Sequence, residues 1–249
     1  MFNDDPSVLL QAATLISGSP AAWALFSRLG EAQILLPAMG ATLFWLLRTP
    51  RGRPLALAWC VAVLTATLLT TASKVAFIGW EVGYAPLDFT GLSGHAMFAA
   101  AVLPVLMRMA AGRARRPWPR LAIAAGYLLA LLIAVSRIKT GAHSVADIVP
   151  GFLLGALASA AALRGTRAPE APTPAWLGVA MLVWLVALPF NAPVSRTHDW
   201  VTRLSLQMSG REQPYTRRAM HLEAQQEMRR TSTRPAPPRR PHPLAGQTT

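Results

Sequence analysis

Stretches without a single charged side chain recur along this chain, at 32–47, 54–73, 96–107, 121–136, 148–163 and 171–195. A helix needs about 20 predominantly apolar residues to cross a bilayer core, and arginines at its ends gain reach by snorkelling. The repetition therefore predicts an all-α fold, a polytopic membrane bundle of about six transmembrane helices. Composition agrees: 53% of residues are hydrophobic and 14% charged, too apolar for an ordinary soluble domain. The single cysteine, Cys60, lies inside an apolar run, which rules out an intrachain disulfide and points to packing.

The formal charge of +13 invites a nucleic-acid reading, but its placement argues against one. Arg48, Arg51 and Arg53 fill one loop; Arg108, Arg113, Arg115, Arg116 and Arg120 fill a second; Arg164 and Arg167 open a third. They alternate with loops almost free of Lys and Arg, the bias that marks cytoplasmic loops. The surplus reads as topology, and no nucleic-acid partner is expected.

Turn residues divide the chain into three parts. Residues 1–30 form an N-terminal interfacial segment, with 6–27 interrupted by Gly18-Ser19-Pro20 and read either as two short helices in the interface or, equally, as a poorly formed first transmembrane helix. The start, Asn3-Asp4-Asp5, lacks the basic region of a secretory signal peptide. Residues 31–192 form the membrane core, with helices expected at about 31–47, 54–80, 93–112, 119–139, 142–163 and 174–190. Pro104 and Pro150 read as kinks. Residues 193–249 form a basic tail, ten Arg against four acids, read as a mostly disordered, solvated extension rather than a binding arm, with a transient helix expected at 213–230. With the Arg-rich loops inside, the loops at 81–92 and 138–142 face outward. A full span at 174–190 then puts the basic tail outside too, against the charge bias.

Two strings carry chemistry. One is Ser93-Gly94-His95; the other is Ser136-Arg137, then His143, then Asp147. Of five histidines only His95 and His143 lie outside the tail, each at the lip of an apolar run. Ionisable groups near a membrane are costly and mark functional sites. Both strings open helices on the outer side, and a helix N-terminus presents unpaired N–H donors and positive partial charge to an anion. Arg137 offers a guanidinium fork matched to phosphate oxygens. The only lysines, Lys74 and Lys139, lie at the outer ends of their helices. His143 and Asp147, four apart, are expected to share one helix face. A carboxylate there accepts Nδ1–H and leaves Nε2 as nucleophile or base, with His95 available as general acid. The same side chains also suit a zinc site.

Together these residues resemble the type-2 phosphatidic acid phosphatase superfamily, membrane phosphatases of lipid phosphates, over about residues 71–163. The family's motifs are Lys-x6-Arg-Pro, Pro-Ser-Gly-His and Ser-Arg-x5-His-x3-Asp. Ser136, Arg137, His143 and Asp147 match the third in full. Ser93, Gly94 and His95 match the second, with Leu92 for its proline. Of the first, Lys74 matches, while Glu81 and Val82 stand where Arg and Pro are expected.

The resemblance implies a phosphohistidine at His143 oriented by Asp147, and His95 protonating the leaving group. Lys74, Arg137, Ser93 and the Gly94 amide would hold the phosphoryl oxygens, and Lys139 would compensate for the missing arginine. It implies no metal or other cofactor, and an active site on the periplasmic face of a bacterial inner membrane. The expected function is hydrolysis of a lipid-linked phosphate or pyrophosphate, with undecaprenyl pyrophosphate first among the substrates. Phosphatidylglycerol phosphate, phosphatidic acid and lipid A phosphates stay open, as do a phosphotransferase and a non-catalytic lipid-phosphate binder.

Overall fold

The computed structural model describes residues 20–112, 117–164 and 197–232. Eight α-helices are placed among them: α1 (Pro20–Leu29), α2 (Ala32–Arg48), α3 (Arg53–Trp80), α4 (Gly94–Ala110), α5 (Trp118–Lys139), α6 (Val145–Arg164), α7 (Thr197–Ser209) and α8 (Arg217–Ser232). The described residues contain no β-strand, only an isolated bridge between Tyr84 and Phe89 in the α3–α4 loop.

Five of the six expected core helices are present, with ends within a few residues of those read from sequence. The sixth, at 174–190, and the Pro/Arg-rich end at 233–249 lie outside the described residues. Three helices, α3, α5 and α6, are long and apolar enough to cross a membrane alone. A fourth span results if α1 and α2, bent by 41° at their junction, count as one. α1 packs against α5 and continues into α2 through Gly30 and Glu31.

α4, a shorter apolar helix of 17 residues, is the centre of the bundle. It packs against α2, α3, α5 and α6, and its residues from Ala96 to Leu106 are buried almost without exception. Small side chains permit this. A Cβ on Gly126 of α5 would fall 2.6 Å from the Pro104 Cα of α4. The buried Trp59 indole of α3 donates to the Ala101 carbonyl at 2.9 Å, tying two helices with a bond that is strong in an apolar interior. Outward faces carry exposed Leu57, Leu64 and Leu68 on α3, Leu128 on α5, and Leu153 and Leu157 on α6, the surface that lipid would cover.

The C-terminal segment departs furthest from expectation. It is not a solvated extension over 197–232 but two helices docked on the bundle. α7 packs along α3, where Gly79 leaves room for the Ser205 backbone and Ser209. Tyr215 is buried, donates its N–H to the Ile78 carbonyl at 3.0 Å, and meets Phe77 edge-on with ring centroids 5.4 Å apart. The Ile78 carbonyl is one of those a helix C-terminus leaves unpaired, so the contact satisfies a group that otherwise needs water. The Tyr215 phenol donates to Glu223, and burial together with that carboxylate pushes its pKa up to about 12.

Candidate active site

Two backbone devices build the site from the Arg137–Asp147 segment. α5 ends at Thr140, and Gly141 adopts φ +68°, the left-handed conformation that costs glycine nothing. The Gly141 N–H then bonds the Ile138 carbonyl at 2.9 Å and the Ala142 N–H bonds the Arg137 carbonyl at 3.0 Å. This pairing closes a helix as a Schellman motif. The His143 N–H shares the Arg137 carbonyl at 3.2 Å, so arginine and histidine are fixed across one turn.

α6 starts at Val145, three residues later than expected, so His143 does not lie on its face. The four-residue spacing works through a capping box instead. The Asp147 N–H donates to Ser144 Oγ at 3.2 Å while the Ser144 N–H approaches Asp147 Oδ2 at 3.5 Å. The box turns the Asp147 carboxylate back toward the preceding residues, and His143 Nδ1 meets Oδ2 at 3.1 Å. With the proton on Nδ1, Nε2 keeps its lone pair.

The second string is locked to the first through the main chain. The Ser93 N–H, at the N-cap of α4, donates to the Asp147 carbonyl at 2.9 Å. A Cβ on Gly151 would fall 2.7 Å from the Ser93 carbonyl oxygen, so glycine lets the starts of α4 and α6 touch. The Leu92 N–H donates to Ser73 Oγ at 3.0 Å, which places Lys74 beside the same junction. His95, His143, Lys74 and Arg137 lie within electrostatic reach of one another, and Lys74 also senses Asp147 and Arg217.

Asp147 is fully buried. Burying a carboxylate is tolerable only with several donors. Thr90 supplies its N–H to Oδ1 at 2.7 Å and its hydroxyl to Oδ2 at 3.0 Å. His143 and Arg217 supply the rest, the Arg217 guanidinium at 2.6 Å from Oδ2. Burial pushes the His143 imidazole below the ordinary histidine range, opposed by the Asp147 hydrogen bond, with Lys74 and Arg137 also pushing down. The neutral ring predominates near pH 7.

Among the described residues, the buried side-chain atoms without a hydrogen-bond partner are Glu31 Oε2, Thr70 Oγ1, Ser93 Oγ and Arg137 Nε. Such orphans are rare in folded proteins and mark places where a ligand completes the bonding. All four border this junction. Thr70 stands one helical turn before Lys74 and against Gly94, and Glu31 faces Arg137. Ser93 Oγ and Arg137 Nε are donors suited to an anion. Ser136, by contrast, bonds its own helix at the Ile133 carbonyl.

Lys139 is not gathered into this site. It is exposed at the end of α5 and does not act on the imidazole–carboxylate pair; Arg217 does. Glu81 and Asp88 in the α3–α4 loop pair with the C-terminal segment: Glu81 with Arg211 and Asp88 with Arg217 as ion pairs, while His221 Nε2 lies 2.7 Å from Asp88 Oδ1. Ser27, Glu31, Thr90 and Arg217 join the site with no sequence motif to announce them. Ser27 accepts from the Arg137 guanidinium across the α1–α2 bend.

An open apolar groove of about 700 Å³ adjoins the polar junction, between the α3–α4 loop and α6, lined by Tyr84, Leu87, Phe89, Leu92, Val145 and Val149. Leu92 precedes Ser93 and Val145 follows His143 by two residues, so apolar and anion-binding surfaces meet edge to edge.

The described residues thus form a bundle of apolar helices with a His–Asp pair, a second histidine and basic side chains gathered at one end. A sequence profile of the PAP2 superfamily matches residues 54–169. The chain is 32% identical over 206 residues to the "Uncharacterized 22.5 kDa protein in cps region" of Klebsiella pneumoniae, covering 81% of this chain and 99% of that protein. The chain belongs to the PAP2 superfamily, a group of phosphatases. No solved structure matches it significantly.

Proposed function

We propose that the chain removes phosphate from a lipid-linked phosphate or pyrophosphate by way of a phosphohistidine. The supporting observation is an apolar groove whose lining residues Leu92 and Val145 flank Ser93 and His143 in sequence, beside a junction where Ser93 Oγ and Arg137 Nε are buried without partners. An amphipathic substrate satisfies both surfaces at once, its chain in the groove and its headgroup on the donors.

His143 Nε2 attacks phosphorus, forming an N–P bond as the P–O bond to the lipid breaks, and His95 delivers a proton to the departing oxygen. Water then attacks phosphorus, gives its proton to His95, and releases phosphate as the N–P bond breaks. Lys74, Arg137, Ser93 and the Gly94 N–H bind the three non-bridging oxygens, whose charge increases in the transition state. Undecaprenyl pyrophosphate is the first substrate to try, followed by phosphatidylglycerol phosphate and phosphatidic acid. The site faces the periplasm in this reading, with the Arg-rich turns at the opposite ends of the helices.

Purified protein assayed on those three lipids is expected to release phosphate from at least one. The reaction is expected to persist in EDTA and to stop with vanadate; loss of activity in EDTA would instead favour the zinc reading, in which His95, His143 and Asp147 are ligands. Among the described residues no three His, Cys, Asp or Glu side chains gather as ligands. Both Asp147 oxygens already accept from protein donors. Since attack requires neutral His143 and burial lowers its pKa, the acid limb of kcat/KM is expected below the ordinary histidine value of about 6.5, losing rate as pH falls. A limb at or above that value contradicts the assigned nucleophile.

A further inference from the structure

Every group so far given a role in the reaction lies between residues 74 and 147, yet the carboxylate at the centre is held by a side chain from residue 217. We infer that Arg217 is a positioning residue for the nucleophile: delivered by α8, it fixes the Asp147 carboxylate that aims His143. The reaction centre is then complete only with the C-terminal helices docked. The inference rests on the phosphatase reading above and extends it beyond the residues that the family profile covers.

One guanidinium makes three contacts. Its Nη2 lies 2.6 Å from Asp147 Oδ2 and 3.1 Å from Thr90 Oγ1, and its Nε lies 3.3 Å from Asp88 Oδ1. A planar fork with fixed donor directions dictates orientation in a way a lysine ammonium does not. The contact falls on the oxygen that accepts His143 Nδ1, so the guanidinium decides where that oxygen sits and how much of its charge the imidazole receives. The Arg217 side chain keeps 30% of its surface exposed while its partner Asp147 keeps none, so the pair is anchored at the buried end.

The docking is built into the chain rather than resting on this one pair. Asp88 holds φ 54°, an uncommon conformation for a residue with a Cβ, and its carboxylate bridges Arg217 and His221, the latter at 2.7 Å. Met220 is buried against Gly83, where a Cβ would fall 2.8 Å from its sulfur. Strained backbone, buried apolar contact and ion pairs all converge on the loop that also supplies Thr90. The charged and titratable groups around the imidazole–carboxylate pair are Lys74 on α3, His95 on α4, Arg137 on α5, Arg217 and His221 on α8, and Asp88 in the loop.

The test uses the full chain in detergent micelles with dioctanoyl phosphatidic acid as probe. Arg217→Ala is expected to lower kcat about 10- to 100-fold with KM within about twofold, because the nucleophile is mis-aimed while the anion donors stay in place. Loss of the cation leaves Asp147 free to stabilise protonated His143, so the acid limb is expected to rise by roughly one pH unit. Added guanidinium at sub-denaturing concentration is expected to restore part of the rate. Arg211→Ala, which breaks the separate Glu81 pair, is expected to change kcat by less than about twofold.

A raised KM at unchanged kcat would make Arg217 a substrate ligand instead, and a raised kcat would make α8 an inhibitory cover; either overturns the inference. So does an unchanged rate, or a loss that leaves the acid limb in place and that guanidinium cannot restore. If the wild-type chain hydrolyses none of the lipid phosphates, the phosphatase reading fails separately. Titration of the His143 imidazole resonance in wild type and Arg217→Ala then decides the coupling: an upward shift supports it and coincident curves refute it.

Discussion

His143→Ala is expected to reduce phosphate release by at least roughly 10⁴-fold, the scale on which a covalent catalyst fails when its nucleophile is removed. The loss is expected to be chemical rather than structural. The side chain lies outside the hydrophobic core, in the turn between α5 and α6, and is 10% exposed. The bond that shapes the turn, from the residue 143 N–H to the Arg137 carbonyl, belongs to the backbone and survives the change. Lys74, Arg137 and Ser93 stay in position, so binding of a lipid phosphate should persist. The checks are phosphate release, affinity for a non-hydrolysable phosphonate lipid, and thermal stability of the purified variant. The wild-type chain should in addition yield an acid-labile, alkali-stable phosphoprotein when quenched during turnover, and the variant none. Equal phosphate release by the two proteins would remove His143 from the mechanism.

Much of this site was legible because its spacings have local physical causes. The five residues between Arg137 and His143 are what one Schellman turn needs, with Gly141 supplying the left-handed step. The three between His143 and Asp147 are set by a capping box at Ser144, not by a shared helix face, so the contact was anticipated while its geometry was not. The apolar runs showed the helices, since an uncharged stretch bounded by arginines has few alternatives. A break at 30/31 is legible from the apolar run that begins at residue 32, but nothing in the sequence shows that the chain bends by 41° there with α1 packed against α5. That bend brings Ser27 to Arg137.

The tail misled for a different reason. Ten arginines and few apolar residues are the composition of a solvated segment. Its helices α7 and α8 are held by a small number of specific partners, Tyr215 on Phe77, Met220 on Gly83, and arginines on Glu81, Asp88 and Asp147. Composition averages over such contacts and cannot single out Arg217 among its neighbours. A charge count does hint at it in hindsight. Glu81, Asp88 and Asp147 all lie at the mouth end, and the acids of the α3–α4 loop call for basic partners that this loop itself does not contain.

Asp147→Asn is the second large effect, an expected fall in kcat of roughly 10³–10⁴-fold, comparable to replacing the carboxylate of an oriented-base triad. The wild-type carboxylate only accepts: Thr90 N–H on Oδ1, and Thr90 hydroxyl, His143 Nδ1 and Arg217 on Oδ2. An amide offers one oxygen and one NH₂. With the NH₂ at the Oδ1 position it opposes the Thr90 N–H. With the NH₂ at the Oδ2 position it opposes both His143 and Arg217, and the imidazole tautomer that exposes a basic Nε2 is lost. Either placement also removes the buried negative charge that Lys74 and Arg217 face. Breaking a buried ion pair by removing one partner costs about 3–5 kcal/mol, so a lower melting temperature should accompany the kinetic loss. The two effects separate by pH. Without the carboxylate the imidazolium loses its partner, so the surviving activity should keep its acid limb at or below the wild-type position. The Arg217→Ala limb is expected to move the other way, upward. Opposite displacements of the two limbs would show the carboxylate and the guanidinium acting on one histidine from opposite sides; displacements in the same direction would break the linkage between them.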